Sequence, residues 1–257
     1  MIYVIGGNGF VGAAYVRLLQ TRGLPYQAIT RENYESLRGT ACDVLINANG
    51  NSKKFLGERE PLNEFDQSVR SVAQSLQDFR CGTYIQLSTG DVYPDQSSPQ
   101  VTREDQAIDP ARQSRYGLHK CLAEQLVRGT CEKWLVIRMG GFVGPGLKKN
   151  AIFDMLTGAP VWLSPQSELQ FLSTDRAAAL VWGLAQKDVS NEIVNLGATG
   201  TVNLGALHRR INSPSSFMPQ APTVRYDVSL DKLAKLSGTE LPRSQDEVEN
   251  FIATWKA

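Results

Sequence analysis

The sequence lacks most of the features that would mark a specialised partner or compartment. It has no surplus of one charge: 27 Lys and Arg stand against 26 Asp and Glu, so neither nucleic acid nor an acidic membrane surface is an expected partner. No run approaches the ~20 apolar residues of a membrane span. The chain opens directly on a strand pattern with no leader visible, and a cytoplasmic protein is expected. Histidine is nearly missing, at two residues, and the four cysteines, Cys42, Cys81, Cys121 and Cys131, form no C-x-x-C and no metal spacing with them. The thiols therefore read as reduced, and no metal site is expected. Without repeats or low-complexity tracts, 257 residues make one large domain, or one domain with a small appendage.

What is present begins at residue 1, with MIYVIGGNGFVG. Ile2, Val4 and Ile5 form a short apolar run bounded by glycine, the pattern of a buried parallel strand. Val11, Ala14, Tyr15, Leu18 and Leu19 then recur at helical spacing. The order is strand, glycine turn, helix. Gly6 and Gly7 allow a sharp turn, Gly9 allows a diphosphate to approach the main chain, and Gly12 allows the helix to pack close to the strand. The helix N-terminus supplies amide donors and partial positive charge for an anion. A glycine triplet alone is as consistent with a tight turn; the flanking strand and helix point to a nucleotide site.

Tyr26 to Thr30 is the next expected strand. Thr30 and Arg31 sit at its end, where a dinucleotide fold usually carries an acid for the ribose hydroxyls. A hydroxyl and a guanidinium suit a 2′-phosphate, so NADP(H) is favoured over NAD(H), although Glu32 weakens the distinction and Arg31 also reads as a solvated loop charge. Asp43 to Ala48 is a third strand, ending in Asn47, Ala48, Asn49, Gly50 and Asn51, either simple turn chemistry or ligand contacts at a strand's C-terminal end. After Pro61, Leu62, Phe65, Val69, Val72, Leu76 and Phe79 share one face of a long helix. That face reads as core, with a helix-to-helix dimer seam as the alternative.

Tyr84 to Leu87 reads as a buried strand running into Ser88, Thr89, Gly90 and Asp91. Further on, Tyr116 and Lys120 stand at i and i+4 on one helix face. A phenol with a pKa near ~10 is a poor acid or base at neutral pH. A neighbouring ammonium is expected to lower it. Thr89, or Ser88, could hydrogen-bond the substrate oxygen with which Tyr116 exchanges a proton. The Tyr-x-x-x-Lys pair alone is common by chance; the glycine turn and the hydroxyl-bearing strand end give it meaning.

These stretches together resemble the short-chain dehydrogenase/reductase superfamily, and within it the extended branch of nucleotide-sugar epimerases, dehydratases and reductases. The resemblance covers nearly the whole chain. It also takes in Ile137 to Gly146, Phe171 to Ala177, Val194 to Gly197 and Tyr226 to Ser229. It implies a doubly wound parallel α/β sheet of the Rossmann type over 1–143 and 169–197. A small discontinuous C-terminal substrate cap is expected over 144–168 and 198–257. By position, Tyr116 would be the acid/base, Lys120 would bind the nicotinamide ribose, and Thr89 would be the catalytic hydroxyl with Ser88 beside it. Gly6, Gly9, Phe10 and Val11, with Gly12, would line the diphosphate, and Asn47, Ala48 and Asn49 would pass under the adenosine and ribose. Dehydratases of the branch carry an acid pair after the threonine; Gly90 and Asp91 offer one carboxylate, which disfavours dehydration. Gly141 stands where many relatives have a substrate-touching asparagine.

Asp91, Arg225 and Lys148, the last with Lys149, are candidate substrate contacts, and each charge also reads as merely solvated. The expected activity is that of an NAD(P)-dependent ketoreductase of a nucleotide-linked deoxy-sugar. The alternatives are an epimerase that retains its NAD and a non-catalytic NAD(P)-binding regulatory protein; the last has no need of Tyr116, Lys120 and Thr89. A homodimer is the expected assembly.

Overall fold

The structure is a computed structural model that describes residues 1–51 and 53–255. Its strands are β1 (Ile2–Ile5), β2 (Tyr26–Ile29), β3 (Ala41–Asn47), β4 (Arg80–Thr89), β5 (Trp134–Met139), β6 (Gly141–Val143), β7 (Glu168–Leu169), β8 (Phe171–Ser173), β9 (Glu192–Leu196), β10 (Val202–Asn203) and β11 (Arg225–Tyr226). The helices are α1 (Gly12–Thr21), α2 (Tyr34–Leu37), α3 (Leu56–Arg59), α4 (Pro61–Phe65), α5 (Ser71–Asp78), α6 (Arg115–Thr130), α7 (Ala151–Thr157), α8 (Thr174–Gln186), α9 (Leu204–Arg210), α10 (Asp231–Ser237) and α11 (Ser244–Thr254).

The chain divides into two compact units, 1–94 with 104–139 and 178–195, and 95–103 with 140–177 and 196–257. The first carries a six-stranded sheet in the order β2-β1-β3-β4-β5-β9, with β1 to β5 pairing in parallel. This is the expected Rossmann-like α/β sheet. The strand order reverses at β1, which lies between β2 and β3, so the C-terminal ends of β1 and β3 flank a switch point where such sheets bind ligands. β2 is the edge strand because the connection from Thr30 to Thr40 holds only the four-residue α2.

Each element follows from local chemistry. β1 is buried along its whole length, as its branched residues require. α1 buries Ala14, Tyr15 and Leu19 and ends before Gly23, whose φ of 62° is the left-handed conformation that closes helices. α6 starts at Ser114, whose hydroxyl accepts from the Gly117 N–H at 3.1 Å. It buries Tyr116, Lys120, Ala123, Glu124 and Val127, steps of three and four that make one face. Ala123 and Val127 join Ile5, Leu45, Val72 and Tyr84 in the core on that side of the sheet. Each fully buried aliphatic side chain there contributes roughly 1.5–3 kcal/mol.

The helix after Pro61 departs from the expected stripe. It runs as α4, one π-helical turn over Asp66–Arg70, and then α5. The extra residue in the π turn shifts the phase of the apolar face. Val69, Val72 and Phe79 are buried, but Leu62 is 82% exposed and Phe65 is exposed as well. The shift turns Glu64 inward instead, and it is fully buried.

The second unit holds two small sheets, parallel β6-β8 and β10-β7-β11. α11 packs against β8 and β6. Its core includes Ile152, Met155, Val161, Leu172, Leu233 and Val248. Residues 95–103 belong here because the Asp227 N–H bonds the Gln96 carbonyl at 2.8 Å and the Ser229 N–H bonds Thr102 Oγ1 at 2.9 Å.

Candidate active site

The glycine turn forms a cradle with no room for side chains. Gly6 has φ +77°, and a Cβ on Gly12 would stand 2.2 Å from the Gly6 carbonyl oxygen. The Gly9 N–H bonds that same oxygen at 2.8 Å. Gly9 is exposed, while Phe10 and Val11 are partly exposed. α1 begins without a side-chain cap and without an acid in its first turn; the Ala13 and Ala14 N–H groups bond the Gly9 and Val11 carbonyls, and the amides ahead of them and the helix dipole suit an anion. A backbone cradle too tight for a Cβ, opening on an uncapped helix N-terminus, fits the diphosphate of a dinucleotide.

At the end of β2, the Asn33 side chain accepts from the Thr30 N–H at 2.7 Å and donates to the Ala28 carbonyl at 2.9 Å. Thr30 Oγ1 accepts from the Glu32 N–H at 3.3 Å, and Arg31 is exposed. Asn33 orders this corner and was not singled out in the sequence, although an Asn three residues past a strand end is a familiar turn signal.

The loop after β3 joins the cradle to the Tyr-Lys pair. Asn47 is buried and donates to Tyr84 Oη at 2.7 Å and Gln86 Oε1 at 3.2 Å, and its Oδ1 accepts from the Asn49 N–H at 3.0 Å. Its side chain thus fastens β3 to β4 and shapes the loop. Ala48 and Asn49 pass 3.1 Å from where a Gly6 Cβ would be. The Asn51 carbonyl accepts from the Tyr116 hydroxyl at 3.1 Å, and a Cβ on Gly50 would lie 2.7 Å from Lys120 Nζ. A polar cavity of about 420 Å³ opens beside this loop, between Gly50, Asn51 and Lys53 on one side and Glu60, Asn63 and Gln67 on the other.

Ser88 and Thr89 end β4 and separate in role, because neighbouring strand residues face opposite sides. Thr89 Oγ1 donates to Asp91 Oδ2 at 2.9 Å and accepts from the Asp91 N–H at 3.1 Å. The Thr89 hydroxyl also acts on the Tyr116 phenol, favouring its ionised form against the effect of burial. Ser88 instead donates to Glu124 at 2.5 Å. Glu124 is held by Arg138, whose Nη2 stands 2.8 Å from Oε2, and both side chains are buried. Arg138 Nη1 donates onward to Tyr93 Oη at 2.9 Å, and Tyr93 donates to Asn195 at 2.9 Å. The structure therefore brings Thr89 to Tyr116 and gives Ser88 to the ionic network beneath.

Tyr116 and Lys120 lie together, with Nζ 5.7 Å from the phenol ring centre. The expected lowering of the phenol is overturned. Burial pushes Tyr116 well above its ordinary value, the Asp91 and Glu64 carboxylates push the same way, and the Thr89 hydroxyl opposes them. Burial pushes Lys120 down, while Glu64, Glu124 and Asp91 resist. Lys54 reaches Asp91 Oδ1 at 2.6 Å, and Gly57 of α3 leaves only 2.9 Å between its own Cβ position and the Tyr116 nitrogen. Segment 53–60 thus covers the start of α6. Glu64, Lys54 and His119, whose Nδ1 meets Glu64, are site-flanking residues that sequence reasoning missed.

The remaining candidates stand on the second unit. Arg225 is paired with Glu168 at 2.6 Å and Asp227 at 2.8 Å, and Lys148 is exposed. Among the described residues, no helix is long and apolar enough to cross a membrane.

Comparison with known proteins finds a match over residues 2–197 to the family described as "NAD dependent epimerase/dehydratase family". No curated protein matches the sequence. Solved structures share the fold. A UDP-galactose 4-epimerase superposes with a TM-score of 0.76 at 19% identity, over 99% of each chain. RMD from Pseudomonas aeruginosa, complexed with NADPH, gives 0.80 at 18% identity over 100% of each chain. TunA, an NAD-dependent NDP-hexosamine 5,6-dehydratase of tunicamycin biosynthesis, gives 0.81 at 15% identity, over 98% of this chain and 96% of its own.

Proposed function

Because this chain belongs to the NAD dependent epimerase/dehydratase family, and so is an NAD(P)-dependent enzyme of the extended short-chain dehydrogenase/reductase superfamily, we propose that it reduces a keto group on a nucleotide-linked sugar. The observation that carries this reading is the convergence of Tyr116, Lys120 and Thr89 on the loop that backs the glycine cradle. In it, Gly6, Gly9, Phe10, Val11 and Gly12 hold the diphosphate, Ala48 and Asn49 run beneath the adenosine ribose, and Lys120 holds the nicotinamide ribose. Bound nicotinamide supplies the hydride. Thr89 holds the substrate oxygen, and Tyr116 gives it the proton that completes the alcohol. Burial disfavours the Tyr116 phenolate, so the hydroxyl is kept as a proton donor. To act, Tyr116 exchanges the Asn51 carbonyl for the substrate oxygen.

Thr30 and exposed Arg31 favour NADP(H) over NAD(H). Asp91, Lys148 and Arg225 are proposed substrate contacts; Arg225 would have to share its charge with Glu168 and Asp227. Four free cysteines support a reducing cytoplasm, and burial holds Cys42 and Cys131 up to about 11. Exposed Leu62 and Phe65 on α4, beside α6 with its exposed Leu122, support a homodimer.

An epimerase is the second reading, favoured by the likeness to the UDP-galactose 4-epimerase. Purified protein incubated with NADPH and a panel of nucleotide keto-sugars separates the two. Stoichiometric NADPH oxidation supports the reductase; sugar interconversion without net cofactor change supports the epimerase. A protein that binds dinucleotide but turns over none of the panel would favour the regulatory alternative.

A further inference from the structure

α6 carries both Tyr116 and Lys120, so the rotation of this helix sets where the phenol and the amine stand. Its first turn is seated on the turn that follows β4. A Cβ on Gly117 would lie 2.2 Å from the Asp91 carbonyl oxygen, and Gln113 Nε2 donates to the Val92 carbonyl at 2.7 Å. A helix held at one end can still turn about its axis. The second hold is Glu124, two turns beyond Tyr116 and about 10 Å along the axis from Gly117. Its side chain is wholly buried.

Glu124 is gripped from two strands at once. Ser88 Oγ donates to Oε1 at 2.5 Å. Arg138 Nη2 donates to Oε2 at 2.8 Å, with Nε reaching both oxygens at 3.2 and 3.3 Å. Ser88 of β4 and Arg138 of β5 are register partners, so the two donors start side by side on the sheet. Arg138 is itself fixed: its guanidinium lies 4.9 Å from the Tyr93 ring centre, and Nη1 donates to Tyr93 Oη at 2.9 Å. Thr89 is the next residue along β4 from Ser88, so the helix is tied to the strand end that carries the proposed catalytic hydroxyl. With its hydroxyl roughly 8 Å from the helix axis, Tyr116 would move more than ~1 Å if α6 turned by about 10°. Misplacement on that scale can cost about 100-fold in rate.

We infer that Glu124, gripped by Ser88 and Arg138, fixes the rotation of α6 and is the positioning residue for Tyr116 and Lys120, with Ser88 acting through it. The inference rests on the roles proposed above for Tyr116 and Lys120. It gives Ser88 a part in the reaction without contact with substrate, and it names a contribution from β5 that the Tyr-x-x-x-Lys pattern does not contain.

The test measures kcat and KM with the nucleotide keto-sugar turned over fastest, NADPH affinity by quenching of intrinsic tryptophan fluorescence, and melting temperature. Ser88→Ala removes one donor and leaves Arg138 on Glu124. It is expected to lower kcat about tenfold with KM for the sugar within about twofold. NADPH binding should weaken about threefold, because Lys120 turns with the same helix. Glu124→Asp keeps the carboxyl group one methylene shorter, so it meets Ser88 and Arg138 only if α6 shifts, and its loss of kcat should exceed that of Ser88→Ala. The control is Val127→Ala, on the buried face of the same helix, which should lower the melting temperature with kcat within about twofold of wild type. Ser88→Ala and Glu124→Asp proteins that melt lower but keep wild-type kcat and NADPH affinity would make the clamp merely structural and overturn the inference. If Glu124→Asp does not fold, Ser88→Ala decides. Wild-type protein that binds NADPH but reduces no keto-sugar would overturn the proposed reaction alone, and unchanged NADPH affinity in Ser88→Ala would then overturn the inference. Wild-type protein that binds neither NADPH nor NADH would overturn both.

Discussion

Gly12 gives the sharpest test of how the cradle is built. A Cβ there would lie 2.2 Å from the Gly6 oxygen, 2.8 Å from its carbonyl carbon and 3.1 Å from Gly7 Cα. All three are main-chain atoms, and the turn that holds them is fixed. The Gly6 N–H bonds the Ile29 carbonyl at 2.9 Å, and the Gly6 oxygen accepts from Gly9 at 2.8 Å. To restore ordinary 3.4 Å contact the oxygen or the helix must move by about 1.2 Å. Such overpacking costs about 1–3 kcal/mol. Losing the Gly9 bond would add about 1 kcal/mol. Alanine's better helix propensity returns at most ~1 kcal/mol, and less at a first helical position. Gly12→Ala should therefore lose about 1–3 kcal/mol net. For a chain of this size that lowers the melting temperature by roughly 3–10 °C. The control is Gly183→Ala, in the interior of α8, where nothing stands within 4 Å of the new Cβ and the backbone is not left-handed. That variant should be up to ~1 kcal/mol more stable. Thermal melts of both, with NADPH titrations of Gly12→Ala, make the measurement. The cradle amides are expected to be displaced and binding weakened at least tenfold, about 1.4 kcal/mol. A Gly12→Ala protein that melts and binds like wild type would show that α1 does not pack on Gly6 as described.

Tyr116→Phe should abolish turnover while leaving dinucleotide affinity within about twofold, because the hydroxyl meets the Asn51 carbonyl rather than the cradle and in the proposed reaction gives its proton to substrate; full activity would remove Tyr116 as acid. Glu124→Gln leaves the Arg138 guanidinium buried without its counter-charge and should cost about 3–5 kcal/mol in urea unfolding, whereas a loss under 1 kcal/mol would show that the pair is not closed to water. Leu62→Lys, on the exposed face of α4, should shift the protein from dimer to monomer in light scattering without lowering its melting temperature at low concentration; a wild-type monomer would dispose of the dimer.

The parts of the fold that could be read from sequence are those set by local constraint. β1, the glycine turn and α1 were legible because strand burial, left-handed backbone and helical spacing all occur within twenty residues. The Tyr116 and Lys120 pair was legible for the same reason, since one helix turn separates them. Glu64 was hidden by the π turn. One extra residue there changes the phase of the face, so the steps of three and four from Leu62 to Phe79 do not describe one surface. Residues 95–103 join the second unit through bonds to residues more than a hundred positions away, which no periodicity reports. Ser88 and Thr89 look equivalent in sequence, and only the strand's alternation assigns one to Tyr116 and the other to Glu124.

The protonation preference of Tyr116 follows from burial that sequence spacing could not show. From the i, i+4 spacing alone, Lys120 should pull the Tyr116 phenol down toward neutrality. In the folded chain the lysine is itself inside, and burial disfavours its charge as well as the phenolate's. Two carboxylates near the phenol add to the effect of burial, because each penalises a negative charge on Tyr116 while favouring the positive charge on Lys120. Burial and the two carboxylates therefore both favour the neutral phenol, while burial and the acids pull the amine in opposite directions. In the proposed reaction the phenol gives up its proton when a stronger acceptor than the Asn51 carbonyl arrives, such as the oxygen of a carbonyl receiving a hydride. In the proposed reaction, oxidation would run through a Tyr116 phenolate facing Asp91 and Glu64, so its rate is expected to rise toward alkaline pH more steeply than that of reduction.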